Sequence, residues 1–268
     1  MADTLAGLAG QLETQVKALR GAGDDAALLA AARDAADQIE HGCGARDGDE
    51  REVLMMVQRW TFNAAADCWP GWSVSDKPIN QDNLLAAREL AERSLRLVRT
   101  LELGPLREAT GVWMVGAFDL ALGRYEEAIS MFREAREHYV VASAPGLVLL
   151  TGGYVAIARQ VGKDQASPGG EDLDQICTRI AAGGFEDGHE WIAQLRTVAG
   201  RVCPAEQFVE WVEPAKPIDF RAAGEMMGFA EFIIGPRFAP TRWFARDDGD
   251  GDYRRPNSFS ISLSFNST

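Results

Sequence analysis

Apolar residues recur at helical spacing over most of the first 200 residues of the chain. Leucine and valine do so from Leu5 to Leu19, and an alanine-rich segment begins after Asp24 and Asp25, in keeping with the high helix propensity of alanine. Further helices are predicted over residues 51–68, 82–103, 105–122, 125–142, 146–162, 171–183 and 187–202. This part of the chain shows no alternation of strands with helices, so the sequence predicts an all-α array of antiparallel helical hairpins.

The helices group into three parts of what we expect to be one continuous domain. Residues 1–48 form an N-terminal helical hairpin, residues 49–202 a helical region, and residues 203–268 two shorter helical pieces and an irregular tail. The sequence Trp69-Pro70-Gly71-Trp72 stops one helix, and an irregular loop is predicted from there to about residue 80. Gly104 followed by Pro105 marks a boundary between two helices, because glycine favours the position after a helix and proline the first position of the next.

The last residues have a different pattern. Apolar Phe259, Ile261, Leu263 and Phe265 alternate with serines, and a period of two predicts a strand with one apolar face. Its partner could be residues 241–246 in a hairpin or the same segment of a second chain, which would make the tail a means of homo-oligomerisation. Disorder of the terminus is the third alternative.

Composition narrows the functional class. The chain has 27 basic and 40 acidic residues, a formal net charge of −13, which argues against a nucleic-acid partner. Residues 139–158 carry no charge, but Ala144-Pro145-Gly146 interrupts them, so we expect no membrane span. The four cysteines lie far apart, as reduced thiols do, and the N-terminus lacks the pattern of a signal peptide. These features predict a cytoplasmic protein.

Motifs for catalysis or metal binding are weak. Glu186-x-x-His189 has the spacing of a di-iron ligand pair but occurs once and among glycines. Asp248-x-Asp250-x-Asp252 begins like a calcium loop, yet Tyr253 replaces the glycine that should follow. No nucleophile elbow, phosphate loop or dinucleotide fingerprint is present. The sequence therefore predicts no enzyme activity, no metal and no cofactor.

One segment carries a family pattern. Residues 109–142 have the features of a 34-residue helix–turn–helix unit. These features are a small residue in the first helix, a glycine in the turn and an Ala-x3-Phe pair in the second helix. The segment resembles a tetratricopeptide repeat, with a weaker echo upstream, where Trp60, Ala64 and Asp67 correspond to Val112, Gly116 and Asp119, and a degenerate one downstream at Gly153. The residues with structural roles in this resemblance are Gly116, Gly123, Tyr125, Ala128, Phe132 and Ala135.

The resemblance implies a protein that binds a protein or peptide partner along its concave surface. Transferring the register of the family gives an apolar and aromatic groove formed by Thr110, Trp113, Ala117 and Leu120 of one helix and Leu147, Leu150, Tyr154 and Ile157 of another. The alternative is that the C-terminal third of the chain fills this groove. An uncharacterised all-α enzyme, or a small-molecule-binding protein with its site between helices, is the alternative function.

Arginines are frequent in the helix predicted over residues 82–103. Glu89 with Arg93 and Glu92 with Arg96 are spaced four residues apart in the favourable order. The spacing predicts a solvated helix face held by ion pairs within the helix.

Overall fold

A computed structural model describes residues 5–43, 50–72, 80–162 and 171–201. These ranges hold nine α-helices, one short 3-10 turn and no strand, which confirms the all-α prediction for this part of the chain. The strand and the oligomerisation element expected in 203–268 and the calcium-like loop lie outside the described residues. The helices are α1 (Leu5–Ala22), α2 (Asp25–Gly42), α3 (Glu50–Asp67), α4 (Gln81–Thr100), α5 (Pro105–Ala121), α6 (Tyr125–Val141), α7 (Pro145–Val161), α8 (Leu173–Ala182) and α9 (Gly188–Arg201).

Consecutive helices pack against one another along the whole series, and α5 lies at its centre. Every residue of α5 from Ala109 to Leu120 is buried, and α7 is buried over most of its length. Both are the first helices of hairpins, α5 with α6 and α7 with α8. The arrangement is compatible with a helical repeat, in which each hairpin covers the apolar face of the preceding one.

Local signals fix where the helices begin. Gly104 has a φ of +90° and Pro105 follows as the first residue of α5, as the sequence predicted. The predicted start of α4 at Asp82 and Asn83 is slightly wrong. Asn80 is the N-cap, because its side-chain oxygen accepts hydrogen bonds from the backbone N–H groups of both residues.

The ion pairs of α4 differ from those predicted. Arg93 does not pair with Glu89; its guanidinium donates to Asp37 Oδ1 at 2.7 Å and Glu40 Oε1 at 2.8 Å, both on α2. Glu89 lies instead 3.9 Å from Arg33. The physical reason is packing, since α4 lies against α2 and a partly buried arginine there is best satisfied by two carboxylates across the interface.

Two aspartates that the sequence places in equivalent positions are both held by arginines of earlier helices. Asp67 of α3 receives a two-point ion pair from Arg20 of α1, which ties the N-terminal hairpin to the third helix. Asp119 of α5 receives one from Arg88 of α4. Each pair joins a helix to one that precedes it in the chain.

Candidate functional site

The predicted groove residues are brought together, but they are not exposed. Trp113, Ala117 and Leu120 of α5 and Leu150, Tyr154 and Ile157 of α7 are all buried, and Trp113 is the most accessible of them at 4%. Thr110 and Leu147 at the ends of the set are also buried. The sequence left open whether this groove is exposed or filled, and in the structure Trp72 covers Trp113 while Gln194 of α9 contacts Tyr154. A partner-binding role for these residues stays a prediction. We call the region between α5, α7 and α9 the aromatic groove.

The first covering segment is Trp69–Trp72, which leaves the end of α3 and forms the 3-10 turn Pro70–Trp72. We call it the tryptophan turn. The indole of Trp72 stacks on that of Trp113, with ring centroids 5.8 Å apart and planes at 25°. Trp69 is buried more deeply, at 1% exposure, and meets Phe118 edge-on at 5.7 Å. Both tryptophans therefore insert into the side of α5.

Gly71 lets the turn approach the far side of the groove. A Cβ atom at this position would lie 2.5 Å from Trp69 Nε1 and 2.8 Å from Val198 Cγ2 of α9. Such distances leave no space for a side chain. The turn thus bridges α5 and α9 through contacts that only glycine permits.

The second covering segment is α9, which packs against two glycines of α7. Trp191 packs over Gly146, and Leu195 packs over Gly153, where a Cβ atom would lie 2.5 Å from Leu195 Cδ1. Between these contacts Gln194 Nε2 donates to the hydroxyl of Tyr154 at 2.6 Å. The alternative that the C-terminal region fills the groove concerns residues 203–268, which lie outside the described part of the chain.

Aromatic contacts continue inward from the turn. The rings of Trp113 and Tyr154 meet at 88° with centroids 5.3 Å apart, and Tyr154 then contacts Phe132 at 5.2 Å. Offset and edge-on ring pairs of this kind add about 0.5–1.5 kcal/mol each beyond the area that they bury. Burial raises the pKa of the Tyr154 hydroxyl, although the hydrogen bond with Gln194 acts in the opposite direction.

Several polar atoms of the groove have no partner among the described residues. The indole Nε1 atoms of Trp72 and Trp113 are inaccessible to solvent and form no hydrogen bond, and the same holds for Gln194 Oε1. An unpartnered buried donor costs about 1–3 kcal/mol relative to a paired one. The groove is therefore lined mainly by apolar and aromatic atoms, and it also holds two indole donors and one amide acceptor that have no partner among the described residues.

The residues assigned structural roles in the repeat lie between α5 and α6. A Cβ atom at Gly116 would be 2.8 Å from Met131 Cβ and 3.0 Å from Phe132 Cε1, so the two helices approach closely there. Gly123 has a φ of +76° in the turn, and Tyr125 begins α6 half-buried. Ala128, Phe132 and Ala135 are fully buried on the face of α6. Gly153 differs from Gly116, because it accommodates α9 rather than its hairpin partner α8.

Other candidate groups lie outside the groove. Glu186 precedes α9, so the Glu186-x-x-His189 spacing does not lie within one helix. Glu108, Glu134 and His138 bring their ligand atoms within 4.8 Å of one another. Arg99 already lies between the two carboxylates, with Nε 2.8 Å from Glu108 Oε1 and Nη2 2.5 Å from Glu134 Oε1. This cluster is an ion-pair network that joins α4, α5 and α6.

The chain was compared with protein-family models, with curated proteins and with solved structures. No protein-family model, no curated protein and no solved structure matches it. Among the helices that the structure describes, none is long and apolar enough to cross a bilayer.

Sequence reasoning missed Trp69, Trp72 and Gln194. The loop prediction for residues 69–80 treated the two tryptophans only as part of a helix stop. The signal was nevertheless present, since two large aromatic residues flanking a Pro-Gly pair need an apolar surface to cover them.

Proposed function

We propose that this chain is a tetratricopeptide-like protein that binds a peptide segment of a protein partner in the aromatic groove. The single observation that carries the proposal is the tryptophan turn itself. A short segment with a 3-10 turn already lies between α5 and α9 with its aromatic side chains packed on α5, which is how a peptide ligand would be held. The stacked hairpins and the close contact of Gly116 with Phe132 support the repeat assignment.

Chemistry of the groove favours a peptide with aromatic anchors. Trp113 and Tyr154 offer ring faces and edges, and the indole Nε1 of Trp113 is an unused donor for which a backbone carbonyl is a suitable acceptor. Aromatic side chains that fill buried pockets supply most of the binding energy in many interfaces. None of the described residues named above as lining the groove is basic, so these residues would not select an acidic ligand.

A binding role is preferred to a catalytic one. Burial raises the pKa of the thiols of Cys43, Cys68 and Cys177, which disfavours the reactive thiolate. The described groove residues that contact one another bring together aromatic rings, the Tyr154 hydroxyl and the Gln194 amide, and none of the described histidines is among them. These residues give no pair of groups that could act as nucleophile and base.

A small-molecule ligand between the same helices is the second candidate. Gln194 Oε1 of α9 and Thr151 Oγ1 of α7 are buried and have no hydrogen-bond partner in the part of the chain that the structure describes, and polar atoms of this kind can orient a ligand in an apolar site. A thermal-shift screen of metabolites on the full chain would find such a ligand. A rise in melting temperature that is lost on Gln194→Leu would favour this candidate over the peptide.

Selection from a random peptide library on the immobilised full chain tests the proposal. We expect enrichment of peptides with paired aromatic residues, and hydrogen exchange of the complex should show slowed exchange in α5, α7 and α9. An unrelated acidic helical protein is the control for non-specific capture. Absence of enrichment over that control, or protection confined to other helices, would contradict peptide binding in the groove.

A further inference from the structure

The tryptophan turn is attached to the groove by packing, through its two indole rings and through the close contact of Gly71 with Val198 of α9. Its backbone hydrogen bonds stay within the turn and the end of α3, from Trp69 N to Ala66 O at 3.1 Å and from Trp72 N to Trp69 O at 3.2 Å. Among the described residues, none of its backbone groups bonds to α5, α7 or α9. The turn can therefore leave the groove without losing a backbone hydrogen bond.

The two tryptophans differ in how firmly they are held. Trp69 is almost wholly buried, whereas Trp72 is half-buried at the edge of the groove and covers Trp113 by a single stacking contact. The pair also leaves two donors unused, since neither Trp72 Nε1 nor Trp113 Nε1 has a partner among the described residues. A segment that stacked on Trp113 and also presented a carbonyl oxygen would satisfy a donor that the turn leaves unpaired.

We infer that the tryptophan turn is a displaceable internal ligand, and that the partner is a protein segment with an aromatic residue on a turn that replaces Trp72 on Trp113. This inference rests on the proposed function, because it names the partner's chemistry and the regulation of the same groove. The internal segment competes with the partner at a high effective concentration, as a tethered ligand does. The apparent affinity for the partner is therefore the intrinsic affinity multiplied by the fraction of molecules in which the turn has left the groove.

A peptide with the sequence of residues 69–75, acetylated, amidated and labelled with fluorescein, is the probe. It is titrated with the full wild-type chain and with the Trp72→Ala chain, and binding is followed by fluorescence anisotropy. We expect the variant to bind the peptide at least about tenfold more tightly, because its own turn competes poorly. The same peptide with both tryptophans replaced by alanine should bind neither chain. Equal affinity for the two chains, or no binding to a correctly folded variant, would overturn the inference.

A second measurement keeps the test decisive if the Trp72→Ala chain does not fold. The wild-type chain is labelled with 5-fluorotryptophan, and its seven tryptophan signals are assigned by single Trp→Phe variants. Excess unlabelled 69–75 peptide should shift the ¹⁹F signals of Trp72 and Trp113, whereas the alanine peptide should leave them in place. Unchanged signals at millimolar peptide would reject displacement.

The same experiment separates this inference from the proposed function. Library peptides that bind wild-type chain and protect α5 and α7 without moving the Trp72 signal would leave groove binding intact and reject the displaceable turn. If neither the library peptides nor the 69–75 peptide bound the chain, peptide binding in the groove would be rejected altogether.

Discussion

Arg88 Nε lies 2.6 Å from Asp119 Oδ1, and Arg88 Nη2 lies 3.0 Å from Asp119 Oδ2, so a two-point ion pair joins α4 to the central helix α5. The Asp119 side chain is only 1% exposed, and Arg88 also pairs with Glu92. The pair raises the pKa of the Arg88 guanidinium, chiefly through the hydrogen bond with Asp119. A carboxylate in such a place depends on its partner, because isolated charges are costly to bury.

Replacing Asp119 with alanine should therefore lower the free energy of unfolding by about 3 kcal/mol, since Arg88 loses its buried partner. The double variant Arg88→Met, Asp119→Leu should recover most of that loss, because no buried charge remains. Urea denaturation measures both. A double variant no more stable than Asp119→Ala would show that the site needs the charges for another reason.

Phe132→Ala should cost about 3–5 kcal/mol, since the fully buried ring contacts Tyr154 and fills the space beside Gly116. Glu127→Ala on the exposed face of the same helix is the matched control and should change stability little. Chemical denaturation of the two variants decides the matter. An unchanged midpoint and slope for Phe132→Ala would mean that Phe132 is not packed between α5 and α6 as described.

Gly153→Ala should destabilise the protein by about 1–3 kcal/mol, because the added methyl group would overlap Leu195 of α9. Gly10→Ala in α1 is the control, since a Cβ atom there meets nothing within 4 Å. It should stabilise by up to about 1 kcal/mol through helix propensity alone. If both variants melted above wild type, α9 would not pack on Gly153.

Alkaline pH should unfold the helical stack. Burial raises the pKa of Tyr139 and of Tyr154, so above about pH 10 the unfolded chain loses these protons while the folded chain keeps them. Folding stability must then fall as the pH rises. Absorbance at 295 nm should report ionisation of these two tyrosines together with the loss of helical circular dichroism.

The Tyr139→Phe, Tyr154→Phe chain is the control for that titration. It lacks both buried hydroxyls, so its stability should depend less steeply on pH above 10 than that of the wild type. Full ionisation of all four tyrosines with the helical signal intact would contradict the burial of the two rings.

A charged substitution in the groove should unfold the protein, whereas on an open surface it would only weaken partner binding. Trp113→Glu places a carboxylate among buried rings, so we expect loss of helical circular dichroism rather than selective loss of partner binding. Trp113→Phe keeps an aromatic ring for stacking, while it removes the indole donor and part of the buried ring volume. It should retain the fold, as thermal unfolding would check.

The helices themselves are determined by the sequence. Apolar spacing and Gly104-Pro105 predict α5, α6 and α7 to within about a residue of where they lie. These signals are local, because a helix needs only neighbours three and four residues away and a residue that ends it. The close approach at Gly116 was likewise readable from one repeat unit.

What covers those helices was decided by tertiary structure. Arg93 pairs with α2 rather than with Glu89. Gly153 packs against Leu195 of α9 rather than against its hairpin partner α8. The turn at Trp69–Trp72 packs into the aromatic groove. Each outcome depends on segments between about 40 and 60 residues apart in sequence, whose meeting no local spacing encodes. Apolar residues show the same pattern whether they are covered by a partner or by their own chain, since the hydrophobic effect depends on the area removed from water and not on its source.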